Sequence, residues 1–166
     1  ISGVNGSNVN VSVAGGDLAL NAPLQGAGNV NATVTSGNLA ITGLGASAPN
    51  ATLSASGSIS GAGAAPNVRT DQLVASGNDV QLAAAALSQP QIDLNLSALN
   101  NLNLSSSNSV LLSSASAGNV DLAITGNFTR AGTILAADQI AVNVTGTILN
   151  PAPGLFAQGQ SLALRT

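Results

Sequence analysis

The chain has 166 residues, of which 45% are hydrophobic and 5% are charged, so it contains enough apolar residues to bury a core. Its three Arg, six Asp and absence of Lys, Glu and His give a net charge of −3, which leaves too few cations to bind nucleic acid. The absence of Cys excludes disulfides and Cys-ligated metal sites, and no apolar run approaches the roughly 18 residues of a membrane helix.

The N-terminal half contains short segments in which apolar and polar residues alternate. They lie at 9–13, 30–34 and 51–55, at steps just above 20 residues. Alternation with period two places Val, Leu and Ala on one face and Asn, Ser and Thr on the other, which is typical of half-buried strands. Gly-Gly-Asp at 15–17 and Gly-Asn at 37–38 interrupt the pattern, and we expect a corner at each.

The C-terminal half repeats more strictly. Apolar residues recur at steps of 20 through Leu82, Leu102, Leu122, Val142 and Leu162. If each repeat is one coil, equivalent residues lie about 4.8 Å apart and stack on their own kind. The alanine-rich segment 83–87 departs from the pattern and predicts a small-residue corner or strand, with a single helical turn as the alternative.

These observations predict an all-β fold, a right-handed parallel β-helix (β-solenoid) with about 20 residues per coil and roughly eight coils. Residues 1–166 are expected to form a single domain. A β-sandwich also has short strands and frequent turns. Two Phe and no Trp or Tyr fit the narrow interior of a coil better than the thicker core of a sandwich.

The stretch 118–150 has an ordered set of parts. Gly-Asn-Val-Asp-Leu at 118–122 is followed by Thr-Gly at 125–126, Ala-Gly-Thr-Ile at 131–134 and Thr-Gly-Thr-Ile-Leu-Asn at 145–150. This order resembles the filamentous-haemagglutinin-type repeats of two-partner-secretion exoproteins, and stretches 76–105 and 28–42 resemble them more weakly. The resemblance implies a β-solenoid passenger, exported through an outer-membrane pore, that carries adhesion or toxin-delivery modules elsewhere.

The side chains that usually carry acid, base or nucleophilic catalysis are missing, since the chain has no His, Cys, Lys, Tyr or Glu. We therefore expect no catalytic residues, no cofactor and no metal. Asp93 and Asp121 could form the carboxylate pair of a hydrolase, but their positions between apolar strand residues predict solvated side chains. Asp71 and Asp138 each precede Gln and an apolar residue, which predicts a turn-forming Asp ahead of a strand. Gly-Gly-Asp17 is the fragment that resembles a calcium-binding repeat.

Eight Asn-x-Ser/Thr triplets are candidate glycosylation sites, about twice the number that independent placement of these residue types would give. Alternation of Asn with Ser or Thr on an outward strand face also generates such triplets by accident. The candidate acceptors are Asn5, Asn10, Asn31, Asn50, Asn95, Asn103, Asn127 and Asn143.

Neither end of the chain carries a charged cap, so we expect a segment of a longer fibre or a filament subunit. The predicted function is an extracellular or cell-surface shaft of an adhesin or filament, without catalysis. The alternatives are an adhesin module that binds carbohydrate or a cell surface, and a self-assembling filament subunit unrelated to two-partner secretion. The expected partners are neighbouring coils or like subunits end to end, and host or bacterial surface glycans. Neither nucleic acid nor membrane insertion is expected.

Overall fold

The computed structural model describes residues 1–63, 66–149 and 157–166. Strands account for 72% of these described residues and helices for none of them, and the strands form a β-solenoid of about seven turns with about 21 residues per turn. The predicted parallel solenoid is confirmed, with slightly fewer and longer coils than expected. Within the described residues, no helix has the length and apolar character needed to cross a membrane.

The described residues contain seventeen strands that pair into one sheet, and every pairing is parallel. In chain order they are β1 Ser2–Val13, β2 Leu18–Leu20, β3 Ala22–Val34, β4 Leu39–Thr42, β5 Ala46–Ser47, β6 Asn50–Ala55, β7 Ile59–Ala62, β8 Val68–Arg69, β9 Gln72–Gly77, β10 Val80–Ala85, β11 Gln91–Ala98, β12 Asn101–Ser106, β13 Ser109–Ile124, β14 Phe128–Val144, β15 Ile148–Leu149, β16 Ala157–Gln158 and β17 Ser161–Arg165.

Two long stacks of strands run along the solenoid. The first stack contains β1, β3, β6, β9 and β11 and continues into the first halves of β13 and β14. The second stack contains β2, β4, β7, β10 and β12, the second halves of β13 and β14, and β17. Each coil therefore contributes one strand segment to each stack, and the predicted corners at 15–17 and 37–38 separate the two.

The predicted register of the C-terminal repeat is wrong by two residues at several steps. Leu82 pairs with Leu104 and not with Leu102, and Leu102 pairs with Val80 and Val120. Successive coils in this column are 22, 18, 20 and 22 residues long, from Leu82 through Leu104, Leu122, Val142 and Leu164. A shift of two residues keeps every apolar side chain pointing inward, so alternation alone cannot distinguish these registers.

The interior is a narrow aliphatic core. In one inward column of the first stack, Ala alternates with a larger side chain over six coils: Ala32, Leu53, Ala75, Leu96, Ala115 and Ile134. All six are buried. The neighbouring inward column includes Val30, Leu73 and Leu94, so small and large side chains fill the interior together.

Residues 83–85 belong to strand β10 and are followed by a corner. The expectation of a strand or corner is confirmed, and the helical alternative is wrong. The end of β10 pairs with the short strand β8, because Ala84 lies opposite Val68. Cross-strand hydrogen bonds to a neighbouring coil therefore outweigh the high helix propensity of alanine.

We predict that Leu94→Ala destabilises the solenoid by about 2–5 kcal/mol, because the buried side chain leaves a cavity between two coils. Val74 lies on an adjacent strand of the same stack but is 41% exposed, and Val74→Ala should cost about 0.5 kcal/mol or less. Urea unfolding followed by circular dichroism measures both. Equal losses for the two variants would contradict the assigned core.

Candidate functional surface

A line of hydrogen-bonded polar side chains runs along one corner of the solenoid. We call it the corner ladder, and it consists of Asp17, Asn38, Ser58, Asp79, Asn101 and Asn119. The backbone N–H of Asn38 donates to Oδ1 of Asp17 at 2.7 Å, and the backbone N–H of Ser58 donates to Oδ1 of Asn38 at 2.8 Å. Each of these bonds joins one coil to the next, so the ladder holds successive corners in register.

Asp79 lies in the middle of the corner ladder. Nδ2 of Asn101 donates to its Oδ1 at 2.8 Å, and Oγ of Ser58 donates to its Oδ2 at 3.2 Å. The Asn101 bond, opposed by burial and supported by Ser58, lowers the pKa of the Asp79 carboxyl. Amides and hydroxyls thus satisfy this carboxylate in place of a cation, in a chain that has three Arg in total.

Asp71 holds the loop that follows β10. Its Oδ1 accepts hydrogen bonds from the backbone N–H groups of Leu87, Ser88 and Gln89 at 3.2, 2.8 and 2.9 Å, and its Oδ2 accepts one from Oγ of Ser88. Burial raises the pKa of this carboxyl, but the Ser88 and backbone bonds outweigh it, so the pKa is lowered. Asp71 precedes β9 as predicted, although the amides it binds come from the next coil.

Asp138 does not occupy a turn. It lies inside the long strand β14, and its Oδ1 accepts a hydrogen bond from Nε2 of Gln160 at 3.2 Å. The prediction of a turn ahead of a strand is therefore wrong for this residue. The physical reason is that β14 passes from the first stack to the second at a bulge here without ending, with Gln139 and Ile140 paired to Ser161 and Leu162.

The two aspartates considered as a catalytic pair belong to different stacks. Asp93 is half-buried on β11, and Oγ of Ser113 donates to its Oδ1 at 2.5 Å. Asp121 is exposed on the second half of β13, as predicted, and lines a groove with Gln81 and Asn103. The two carboxylates line separate grooves and do not form the paired arrangement of a hydrolase.

A groove crosses the outward face of the second stack. Its two adjoining parts have volumes of about 470 and 270 Å³, and both contain Ala83, Ser105 and Ala123. Asp121 lies in the smaller part and Arg165 in the larger part. The lining combines small side chains with polar groups, so this surface could accept an extended ligand.

The outward face of the first stack is a regular array of amides and hydroxyls. We call it the amide–hydroxyl face and define it by three columns over five coils. They are Asn8, Asn29, Asn50, Gln72 and Asp93; Asn10, Asn31, Thr52, Val74 and Asn95; and Ser12, Thr33, Ser54, Ser76 and Ser97.

Side chains of the amide–hydroxyl face bond to their equivalents in the next coil. Nδ2 of Asn29 donates to Oδ1 of Asn8 at 2.8 Å, and Nδ2 of Asn50 donates to Oδ1 of Asn29 at 3.0 Å. Oγ of Ser76 donates to Oγ of Ser54 at 3.1 Å. Hydrogen bonds within the chain therefore hold these side chains in place.

Two buried polar residues were not anticipated from the sequence. The Arg130 side chain is 2% exposed, and its Nη1 donates to the carbonyl of Gly132 at 2.6 Å. The Asn67 side chain is also 2% exposed; its Nδ2 donates to the carbonyls of Gly43 and Ala62, and its Oδ1 accepts from the backbone N–H of Ala83. Arg130 follows the inward residue Phe128 by two positions, so the period-two pattern indicates that the Arg130 side chain also points inward.

Asp17 belongs to the fragment that resembles a calcium-binding repeat. Its Oδ1 accepts hydrogen bonds from the backbone N–H and from Nδ2 of Asn38. In the described parts of the chain, no three carboxylate, imidazole or thiol side chains come together as a metal site would require. The chain matches no known family model, and neither a curated protein nor a solved structure is significantly similar to it. The resemblance to haemagglutinin repeats stays a prediction.

The eight candidate glycosylation acceptors differ in their surroundings. Asn31 is half-buried, and its Nδ2 donates to Oδ1 of Asn10 at 2.6 Å. Nδ2 of Asn50 is engaged with Asn29 in the same way. All of the acceptors except Asn31 are exposed, and Asn103 and Asn143 lie at or beside the groove.

We predict that Asp71→Asn lowers the free energy of unfolding at pH 7 by about 1–2 kcal/mol, because a charged acceptor of three backbone amides is lost. The pKa of Asp71 is below its ordinary value of 3.8 in the folded state, so the stabilisation is present above pH 3.8 and is lost as the pH falls through the folded-state pKa. Urea unfolding between pH 7 and acid measures both effects. The control is Asp121→Asn on the exposed groove, and equal behaviour of the two variants would contradict the role of Asp71 in holding the loop after β10.

If the chain is glycosylated, we expect the mass of protein from the native source to exceed the sequence mass of 15.9 kDa. Modification should reach the exposed Asn103 and spare Asn31, because Asn31 is half-buried and its Nδ2 is held against Oδ1 of Asn10, which reduces its accessibility to a glycosyltransferase. Intact-mass analysis followed by peptide mapping tests this. A native mass equal to the sequence mass rules out glycosylation, and Ser105→Ala is the matched variant that removes the Asn103 triplet.

Proposed function

We propose that this chain is a structural shaft of an extracellular adhesin or filament and that it is non-catalytic. The observation that supports this most strongly is the unbroken parallel pairing between successive coils along both stacks. Each internal coil is hydrogen-bonded to the coil before it and the coil after it. A load along the axis is therefore shared among many backbone hydrogen bonds and side-chain ladders.

The dimensions of the solenoid suit a spacer. At a strand spacing of about 4.8 Å, seven turns extend the axis by about 34 Å, and each further coil adds length without changing the cross-section. Repeat architectures of this kind gain stability from contacts between neighbouring repeats. The length of the solenoid can thus change through the number of coils while its cross-section stays the same.

The assignment to the outside of the cell rests on the resemblance to haemagglutinin repeats together with the composition. Export is compatible with the absence of Cys, since no thiol needs protection from oxidation. Exposed positions carry mainly amides and hydroxyls, which are uncharged groups that hydrogen-bond to water. Adhesion or delivery modules of such a fibre would lie elsewhere.

An adhesin module that binds carbohydrate is the alternative, and the groove with Gln81, Asn103 and Asp121 favours it. Amide and carboxylate groups along a groove are suitable partners for sugar hydroxyls. The groove lacks the aromatic platform on which sugar rings usually stack, since its described lining contains no Phe. We therefore place the shaft function first.

The shaft function predicts that whole coils can be removed. Deletion of residues 30–50 joins Asn29 to Ala51, which in the intact chain lies directly opposite Val30. We expect a folded β protein whose axis is shorter by about 4.8 Å. Circular dichroism and small-angle X-ray scattering measure the fold and the length.

Deletion of residues 30–40 is the matched control. It removes about half a coil, including the end of β3 and the first half of β4. Ile41 then takes the position of Val30 opposite Val9 and Ala51, so the two stacks lose their register. This variant should lose cooperative unfolding. If the whole-coil deletion behaves as badly as the half-coil deletion, the chain is not a modular shaft.

A further inference from the structure

We propose that the amide–hydroxyl face is a docking surface for a second copy of this chain, so that two solenoids pack side by side. This inference rests on the proposed shaft function and names a partner for it. The face consists of fifteen outward positions on β1, β3, β6, β9 and β11. It is occupied by Asn, Gln, Ser and Thr except at Val74 and Asp93.

The chemistry of this face makes it complementary to itself. An Asn side chain has two N–H donors and one oxygen with two lone pairs. In the ladder, Asn29 uses one N–H toward Asn8 and one lone pair toward Asn50. One donor and one acceptor remain at Asn29 for another molecule, and a second copy offers the same pair.

The spacing of the two surfaces also matches without adjustment. Columns of a second copy repeat at the same strand spacing of about 4.8 Å, so a contact made in one coil recurs in the next. Stacked sheets in fibrous assemblies pack through such repeated polar side chains, including Asn and Gln ladders. The hydrogen bonds within each face hold the side chains in place, which lowers the entropy lost on association.

Charge repulsion between two copies of the face is small. Asp93 is the single ionisable residue among the fifteen, and it is half-buried with its Oδ1 bonded to Ser113. Val74 lies between Thr52 and Asn95 in the central column and is 41% exposed, which adds apolar contact in the fourth of the five coils. Opposed copies of the face therefore bring together mainly neutral polar groups, with Val74 as an apolar contact.

The expected strength of association follows from the area of the amide–hydroxyl face. Five coils at about 4.8 Å and five residues at about 3.3 Å cover roughly 400 Å² per copy, about half the 800 Å² of a standard stable interface. Association of this chain should accordingly be weak and reversible. It would strengthen with the number of coils, because each coil adds the same contact.

Four candidate glycosylation acceptors, Asn10, Asn31, Asn50 and Asn95, belong to the amide–hydroxyl face. A glycan on any of them would stand between two packed faces. Lateral packing therefore requires that this face be unmodified, whereas a glycan on Asn103 lies on the second stack and leaves packing unaffected.

The test is small-angle X-ray scattering of the full chain over a concentration series, with sedimentation velocity as a second measure of mass. Side-by-side packing doubles the cross-sectional area while the length stays constant. The variant Thr33→Arg/Val74→Arg adds two cations at exposed positions of the face and should remain single at every concentration. The control Ala19→Arg/Ser60→Arg adds the same charge to exposed positions of the second stack and should associate as the parent does.

Circular dichroism establishes that each variant is folded, and Ser12→Asp/Ser97→Asp replaces the face variant if it unfolds. The proposal is overturned if the parent stays single throughout, if its length doubles in place of its cross-section, or if the face and control variants lose association equally. Failure of the shaft function looks different, because the single molecule at the lowest concentration would then lack a rod-like profile.

Discussion

In-register parallel pairing between successive coils is the constraint on which the rest of this structure depends. Because each coil returns the chain to the same position about 21 residues later, one inward residue stacks on another and one outward residue on another. The aliphatic core, the corner ladder and the amide–hydroxyl face are all consequences of that repetition. A defect in register would displace all three together, since the core and the face alternate along the same strands and the ladder lies at the corners that join them.

The solenoid manages its few charges through the same stacking. Asp17 and Asp79 bind amides and hydroxyls of adjacent coils, and Asp71 binds three consecutive backbone amides of a loop. These carboxylates stabilise corners without an ion pair. The surfaces between the corners stay mainly neutral, and this neutrality allows the proposed packing of one shaft against another.

Much of the fold could be predicted because strand alternation and Gly-Asn corners are local signals, as the segment 30–38 illustrates. The pairing of Leu82 with Leu104 could not, because a register shift of two residues preserves the inward face. The amide partners of Asp71 lie sixteen to eighteen residues away and become neighbours only when the coil closes. Arg130 was missed because a buried guanidinium contradicts the usual rule that charge lies outside.

The most direct test of parallel in-register stacking is a set of spin-label distances along one outward column. Ala19, Ala40, Ser60, Gln81, Asn103, Asp121, Ala141 and Ala163 form this column, and the chain has no native Cys to interfere with labelling. Distances from Ala19 should rise by about 4.8 Å per coil, to about 14 Å at Gln81 and about 34 Å at Ala163. Distances that do not increase steadily with coil number, as in a sandwich, would contradict the solenoid.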